Sequence, residues 1–179
     1  FFCRARMGKD KGSYERLEAE LRELPGGTFF ELACHPLDYI VGLMGTPTSA
    51  MAVLRTDYGI DTPLADNTVG VFEFPGGIAS IESSMMEVDP FAQRRLEVFG
   101  TGGTAIVQPI GGENLALILE HDQPPCHEGQ QDVAVGSWPM FVGDIEELVA
   151  CIREAKQPDY DMPHDAAVQD ALLAACGVQ

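Results

Sequence analysis

The chain has 179 residues, 45% hydrophobic and 22% charged, the composition of a folded domain rather than a disordered segment. Eleven basic side chains stand against 28 acidic ones, for a net charge of −17, a field that repels nucleic acid and anionic membranes alike. With no apolar run of about 18 residues and no signal peptide, neither nucleic acid nor a membrane is expected as a partner.

The first residues, Phe1-Phe2-Cys3-Arg4-Ala5-Arg6-Met7, read as a strand ending at Gly8, followed by a polar turn over 8–12. The chain opens inside a strand and without methionine, so a piece of a longer protein is expected. Ser13 is the expected N-cap of a helix over about 14–24, with Leu17, Leu21 and Leu24 as its buried stripe and Pro25-Gly26-Gly27 as its end. A second helix is expected over about 30–44, closed by Gly45-Thr46-Pro47. Pro36 complicates it. Either the regular helix starts close to His35, with Pro36 in its first turn, or it kinks there.

From Ser49 the texture changes. Residues 49–56 read as a strand and 57–67 as a long polar loop. Thr68–Phe74 and Ile78–Ser84 flank Pro75-Gly76-Gly77 as a hairpin, and Arg95–Phe99 and Thr104–Gln108 flank a glycine turn as a second. Residues 114–120 are a further strand, and 122–131 a loop rich in Pro, Gly, Gln and His. The strands Ala105-Ile106-Val107 and Leu115-Ala116-Leu117-Ile118-Leu119 are apolar at consecutive positions. Such strands are expected to be covered on both faces, by helices on one side and a partner subunit on the other. Asp144 is the expected cap of a helix over about 145–156 with Ile145, Leu148, Val149 and Ile152 inward; 158–163 is a linker and 165–175 a last helix. The order of elements is α+β, one domain over 1–179 in which 159–179 form a linker and C-terminal helix.

Three side chains on the second helix attract attention. Glu31, His35 and Asp38 are four and three residues apart, which on a helix places them within roughly a 60° arc. An acid, an imidazole and a second acid on one stripe can move protons, orient a hydroxyl or form an ordinary set of surface pairs. If the helix starts only at Pro36, Glu31 leaves the stripe. A metal site is not indicated, because no third ligand matches Glu31 and His35. His121, His164 and the adjacent Cys126-His127 show no partner in the sequence. A serine or cysteine nucleophile has no support, since there is no G-x-S-x-G elbow and Cys34 points away from His35 on a helix. The five cysteines (Cys3, Cys34, Cys126, Cys151, Cys176) are odd in number and widely spread, and read as reduced thiols in a cytoplasmic protein.

Gly100-Thr101-Gly102-Gly103-Thr104-Ala105 fits the dinucleotide fingerprint G-x-G-x-x-G/A. That motif requires a helix N-terminus directly after the glycines to bind the pyrophosphate. Here Ile106-Val107-Gln108-Pro109-Ile110-Gly111-Gly112 follows, with no helical period, so the stretch is read as a turn between antiparallel strands and the chain as binding no cofactor itself.

The run Gly26-Gly27-Thr28-Phe29-Phe30-Glu31-Leu32-Ala33-Cys34-His35-Pro36-Leu37-Asp38, followed by Leu43-Met44-Gly45-Thr46-Pro47, resembles a signature of the glucose–fructose oxidoreductase, inositol dehydrogenase and rhizopine-catabolism (Gfo/Idh/MocA) family. Residues 66–77 and Leu96–Gly103 are similar to later pieces of the family in the same order, so the resemblance spans about 1–175. It implies an open, mostly antiparallel mixed sheet with helices on one face: a C-terminal domain with no Rossmann domain. It further implies NAD or NADP in the intact enzyme, a small hydroxylated substrate such as a sugar or polyol, and a homo-oligomer formed through the open sheet face. On this resemblance His35 is the catalytic residue that contacts the reacting hydroxyl and relays its proton. Glu31, where the family usually has aspartate, joins it in substrate binding, and Asp38 is structural support. The glycine fingerprint and the Glu-Lys-Pro segment of the family have no counterpart, so the chain alone is expected to be inactive. The competing reading is a standalone module that binds a small ligand or dimerises, with a vestigial site.

Overall fold

The computed structural model describes residues 1–58, 63–136, 139 and 141–178; residues 59–62 of the expected polar loop lie outside them. In chain order the elements are β1 (Phe2–Gly8), α1 (Lys11–Leu21), α2 (Thr28–Met44), β2 (Ser49–Arg55), β3 (Asn67–Phe74) and β4 (Gly77–Ser84). They continue with α3 (Pro90–Gln93), β5 (Arg95–Gly100), β6 (Gly103–Val107), β7 (Asn114–Leu119), β8 (Gly129–Ala134), α4 (Val142–Glu154) and α5 (Met162–Ala175). The strands form one open sheet in the order β2-β3-β4-β1-β5-β6-β7-β8. Only β1 and β4 run parallel, with Phe2 opposite Ile78 and Gly8 opposite Ser84; every other neighbouring pair is antiparallel. This is the open mixed sheet of an α+β domain.

Period-two patterning decides which face is covered. In β1 Cys3, Ala5 and Met7 are buried, and in β3 Thr68, Gly70, Phe72 and Phe74. Against that face lie α2 and α5, which pack on β1 to β4 and on each other. The main core joins Cys3, Ala5, Phe29, Leu37, Ile40, Phe72, Ile81 and Leu172. A second cluster holds Met7, Tyr14, Leu21, Leu32, Leu64 and Met85, and seats α1 beside α2. Gly70 has to be glycine, because a Cβ there would stand 2.2 Å from the buried Phe29 ring.

Several boundaries differ from the sequence expectation. Helix α1 starts earlier, because Asp10 and not Ser13 is its cap: the Asp10 carboxylate accepts the Ser13 N–H at 2.7 Å. Asp144 lies inside the first turn of α4 rather than capping it. Helix α5 begins at Met162, with Asp161 accepting the His164 N–H at 3.1 Å. The stretch expected as loop through Gln131 contributes the edge strand β8, and α3 was not expected at all. No residue of α4 is buried; Ile145, Leu148, Val149 and Ile152 are exposed, Ile152 by 74%. Periodicity shows that a helix has an apolar side but not what covers it. The doubly apolar strands are likewise not covered by helices, since α2 and α5 reach β1 to β4 while β6 and β7 stay half-buried on both sides.

The face away from the helices is mixed. Met51, Val53, Val69, Val71, Ile78 and Ile118 are exposed there. At its centre the nearly buried Glu97 accepts hydrogen bonds from Arg4 and, at 2.7 Å, from Arg95. Burial pushes the Glu97 carboxyl up, but the two guanidinium groups outweigh it and leave it below the usual range. Among the described residues no helix is long and apolar enough to cross a membrane.

Candidate functional site

Helix α2 runs unbroken through Pro36, so it does not begin at His35. The proline is fully buried in the core, where its packing offsets the hydrogen bond it removes. Phe29, Ala33, Pro36 and Ile40 fall within about 60° and face the sheet. Glu31, His35 and Asp38 lie on the opposite side, also within about 60°. The predicted stripe therefore exists. Its start is fixed by Gly27, whose φ is +56° and where a Cβ would stand 2.6 Å from Leu64. The first helical N–H, that of Thr28, is taken by the Ala65 carbonyl at 3.0 Å.

The three side chains do not bond to one another. The Glu31 carboxylate is held by the Lys9 ammonium, and its second oxygen is buried and has no hydrogen-bond partner among the described residues. Lys9 itself is pinned by its backbone, donating to Ser84 at 2.9 Å and accepting from Glu87 at 3.2 Å. Asp38 Oδ1 lies 2.7 Å from His164 Nε2 at the start of α5. The His164 ring packs on Tyr160 with centroids 4.5 Å apart, and Tyr160 in turn lies against Gly42 of α2. His35 is exposed, and among the described residues its ring makes no hydrogen bond or ion pair. It stands alone between two engaged acids.

Lys9 and His164 were not found from the sequence. Asp161-x-x-His164 marks a helix start, but nothing local connects His164 to Asp38, 126 residues away. Cys34 is no nucleophile: burial pushes its thiol up, and the nearby Glu31 carboxylate adds to that. His121, Cys126 and His127 sit in or beside the β7–β8 connection, where Gln123 and Cys126 bridge and the Glu128 N–H donates to Asp122 at 2.7 Å. That loop closes on itself, and among the described residues neither histidine ring has a hydrogen-bond partner. Among the described residues no cluster of His, Cys, Asp and Glu is placed to hold a metal.

The Gly100–Ala105 stretch is the turn of the β5–β6 hairpin, with Gly100 opposite Gly103 and no helix after it. It lacks the helix N-terminus that a dinucleotide pyrophosphate needs, and these residues do not fit that cofactor.

Residues 1–106 match the family model described as "GFO/IDH/MocA C-terminal domain". The chain belongs to this family. The whole chain is similar in fold to a UDP-N-acetylglucosamine 3-dehydrogenase from Acidithiobacillus ferrooxidans (19% identity, TM-score 0.75, covering 99% of this chain and 53% of that one). It is similar also to a levoglucosan dehydrogenase in complex with NADH and levoglucosan (17% identity, TM-score 0.72, covering 99% and 56%). A third is an NAD-binding oxidoreductase from Klebsiella pneumoniae (16% identity, TM-score 0.76, covering 98% and 55%). The chain spans slightly more than half the length of these structures. No curated protein sequence matches it.

Proposed function

We propose that this chain is the substrate-binding and oligomerisation domain of an NAD(P)-dependent oxidoreductase that oxidises a hydroxyl of a sugar, polyol or similar molecule. The observation that carries the reading is His35, an exposed imidazole with no hydrogen-bond partner among the described residues, on the outer stripe of α2 and flanked by acids that are both engaged. Oxidation of a secondary alcohol releases a hydride from carbon and a proton from oxygen. Imidazole is the side chain able to take and return that proton near neutral pH. Glu31 is held by Lys9 and Asp38 by His164, which leaves His35 as the unengaged member of the stripe, and Glu31, one turn before it, is the proposed second contact to the substrate. A nicotinamide, when bound, takes the hydride; its site would lie in sequence beyond this chain. The sugar dehydrogenases among the structural neighbours support the substrate class. The apolar side chains of the open sheet face support self-association through that face.

Titration of the isotopically labelled chain with neutral sugars and polyols tests the substrate reading. At least one ligand is expected to shift the His35 ring resonances saturably. Binding that moves other residues and leaves His35 unmoved would favour a standalone module with a vestigial site.

A further inference from the structure

A cavity of about 530 Å³ opens beside α1, lined by Lys9, Asp10, Ser13, Arg16, Phe91 and Arg94 among others. Three cations in one cavity are unexpected in a chain of net charge −17. Among the described residues seven of the eleven basic side chains pair with a carboxylate, and Lys11, Arg16, Arg94 and Arg153 do not. Two of those four face this cavity.

Arg94 is held in place without an acid. Its guanidinium carbon lies 4.0 Å from the centroid of the Phe91 ring, and one terminal nitrogen reaches the Gly8 carbonyl at 3.5 Å. Its Nε is buried and has no hydrogen-bond partner among the described residues. A guanidinium has five donors in a fixed fork that suits phosphate and carboxylate oxygens, and here most are unused. Among the described residues the Arg16 guanidinium makes one hydrogen bond, to the Ser13 hydroxyl at 3.3 Å. Asp10, which caps α1, keeps its charge in the cavity and is felt by Arg16, while Glu31 is paired with Lys9 and Glu87 with Arg6, so two guanidinium groups stand against one carboxylate. The cavity is thus short of negative charge.

We infer that this cavity binds an oxyanion, phosphate or carboxylate, carried by the substrate whose hydroxyl reaches His35. Lys9 links the two places, since it lines the cavity and its ammonium holds Glu31, one helical turn before His35. The inference rests on the proposed function and sharpens its substrate class to an anionic sugar derivative. The cavity volume lies in the range of small-molecule sites.

The labelled chain is titrated with inorganic phosphate, glucose 6-phosphate, gluconate and glucose. A charged ligand is expected to shift the Arg94 and Arg16 guanidinium resonances saturably, and glucose to leave them in place. The comparison of glucose 6-phosphate with gluconate identifies the oxyanion. Arg94→Gln and Arg16→Gln each weaken binding about tenfold, and Arg153→Gln, at an unpaired arginine elsewhere, leaves it unchanged. Should Arg94→Gln fail to fold, Arg16→Gln alone decides. Anions that move these resonances no more than glucose does, or an equal loss in Arg153→Gln, overturn the inference. A His35 shift with any of the sugars while Arg94 and Arg16 stay silent to phosphate, glucose 6-phosphate and gluconate overturns it and leaves the proposed function standing. An Arg94 shift with phosphate while no sugar moves His35 keeps the oxyanion site and removes its link to the dehydrogenase substrate.

Discussion

In the intact enzyme, His35→Ala is expected to lower kcat by about 10²–10⁴-fold, the usual contribution of a positioned general base. The change in KM should be small, because a single hydrogen bond to one of several hydroxyls contributes little to ground-state binding. His35→Asn retains a polar group of similar size but cannot take up a proton, so it should fall almost as far as alanine. The fold should survive both changes, since His35 is exposed and its ring is bonded to nothing among the described residues. Steady-state kinetics on the variants check this, and a kcat within about threefold of the parent would remove His35 from the chemistry.

Phe29→Ala should destabilise the domain by about 3–5 kcal/mol, a large part of the usual stability of a domain this size. The ring is fully buried, lies 6.4 Å from Phe72 in a near-parallel stack and fills the space over Gly70. Glycine has no side chain with which to close the hole, and Phe72 is anchored in β3, so the cavity would persist. The same ring ties α2 to the sheet, and α2 carries His35; the loss of stability should therefore be accompanied by a mobile site. Urea denaturation measures the change, and a loss below about 1 kcal/mol would show that the helix rests on other contacts.

Much of this architecture is legible in the sequence, for local reasons. Pro75-Gly76-Gly77 between two alternating strands and Thr101-Gly102 between two others announce their hairpins, and both are present. The apolar period of α2 and its glycine boundaries give a helix of nearly the right length, together with the stripe of Glu31, His35 and Asp38. What is not legible depends on distant contacts. The parallel pairing of β1 with β4 inserts the first strand into the middle of the sheet, and no local pattern encodes it. Strand β8, Gly-Gln-Gln-Asp-Val-Ala, has almost no apolar alternation because it is an edge strand, held by main-chain bonding to β7. The partners of the stripe, Lys9 and His164, come from 22 and 126 residues away and change what its acids can do. An acid four residues from a histidine looks like its partner; a lysine brought in by β1 takes that acid instead.

The central claim is that these residues supply the substrate side of a dehydrogenase whose nicotinamide site lies elsewhere. The most direct test is to assay the 179-residue chain in parallel with the protein carrying whatever its gene encodes upstream of Phe1. Both are given NAD+ or NADP+ and a panel of neutral and anionic sugars and polyols. Reduced nicotinamide should accumulate with the long form only, and on at least one substrate. Turnover by the chain alone, no turnover by the long form on any substrate, or a reading frame that opens at Phe1 would contradict the account.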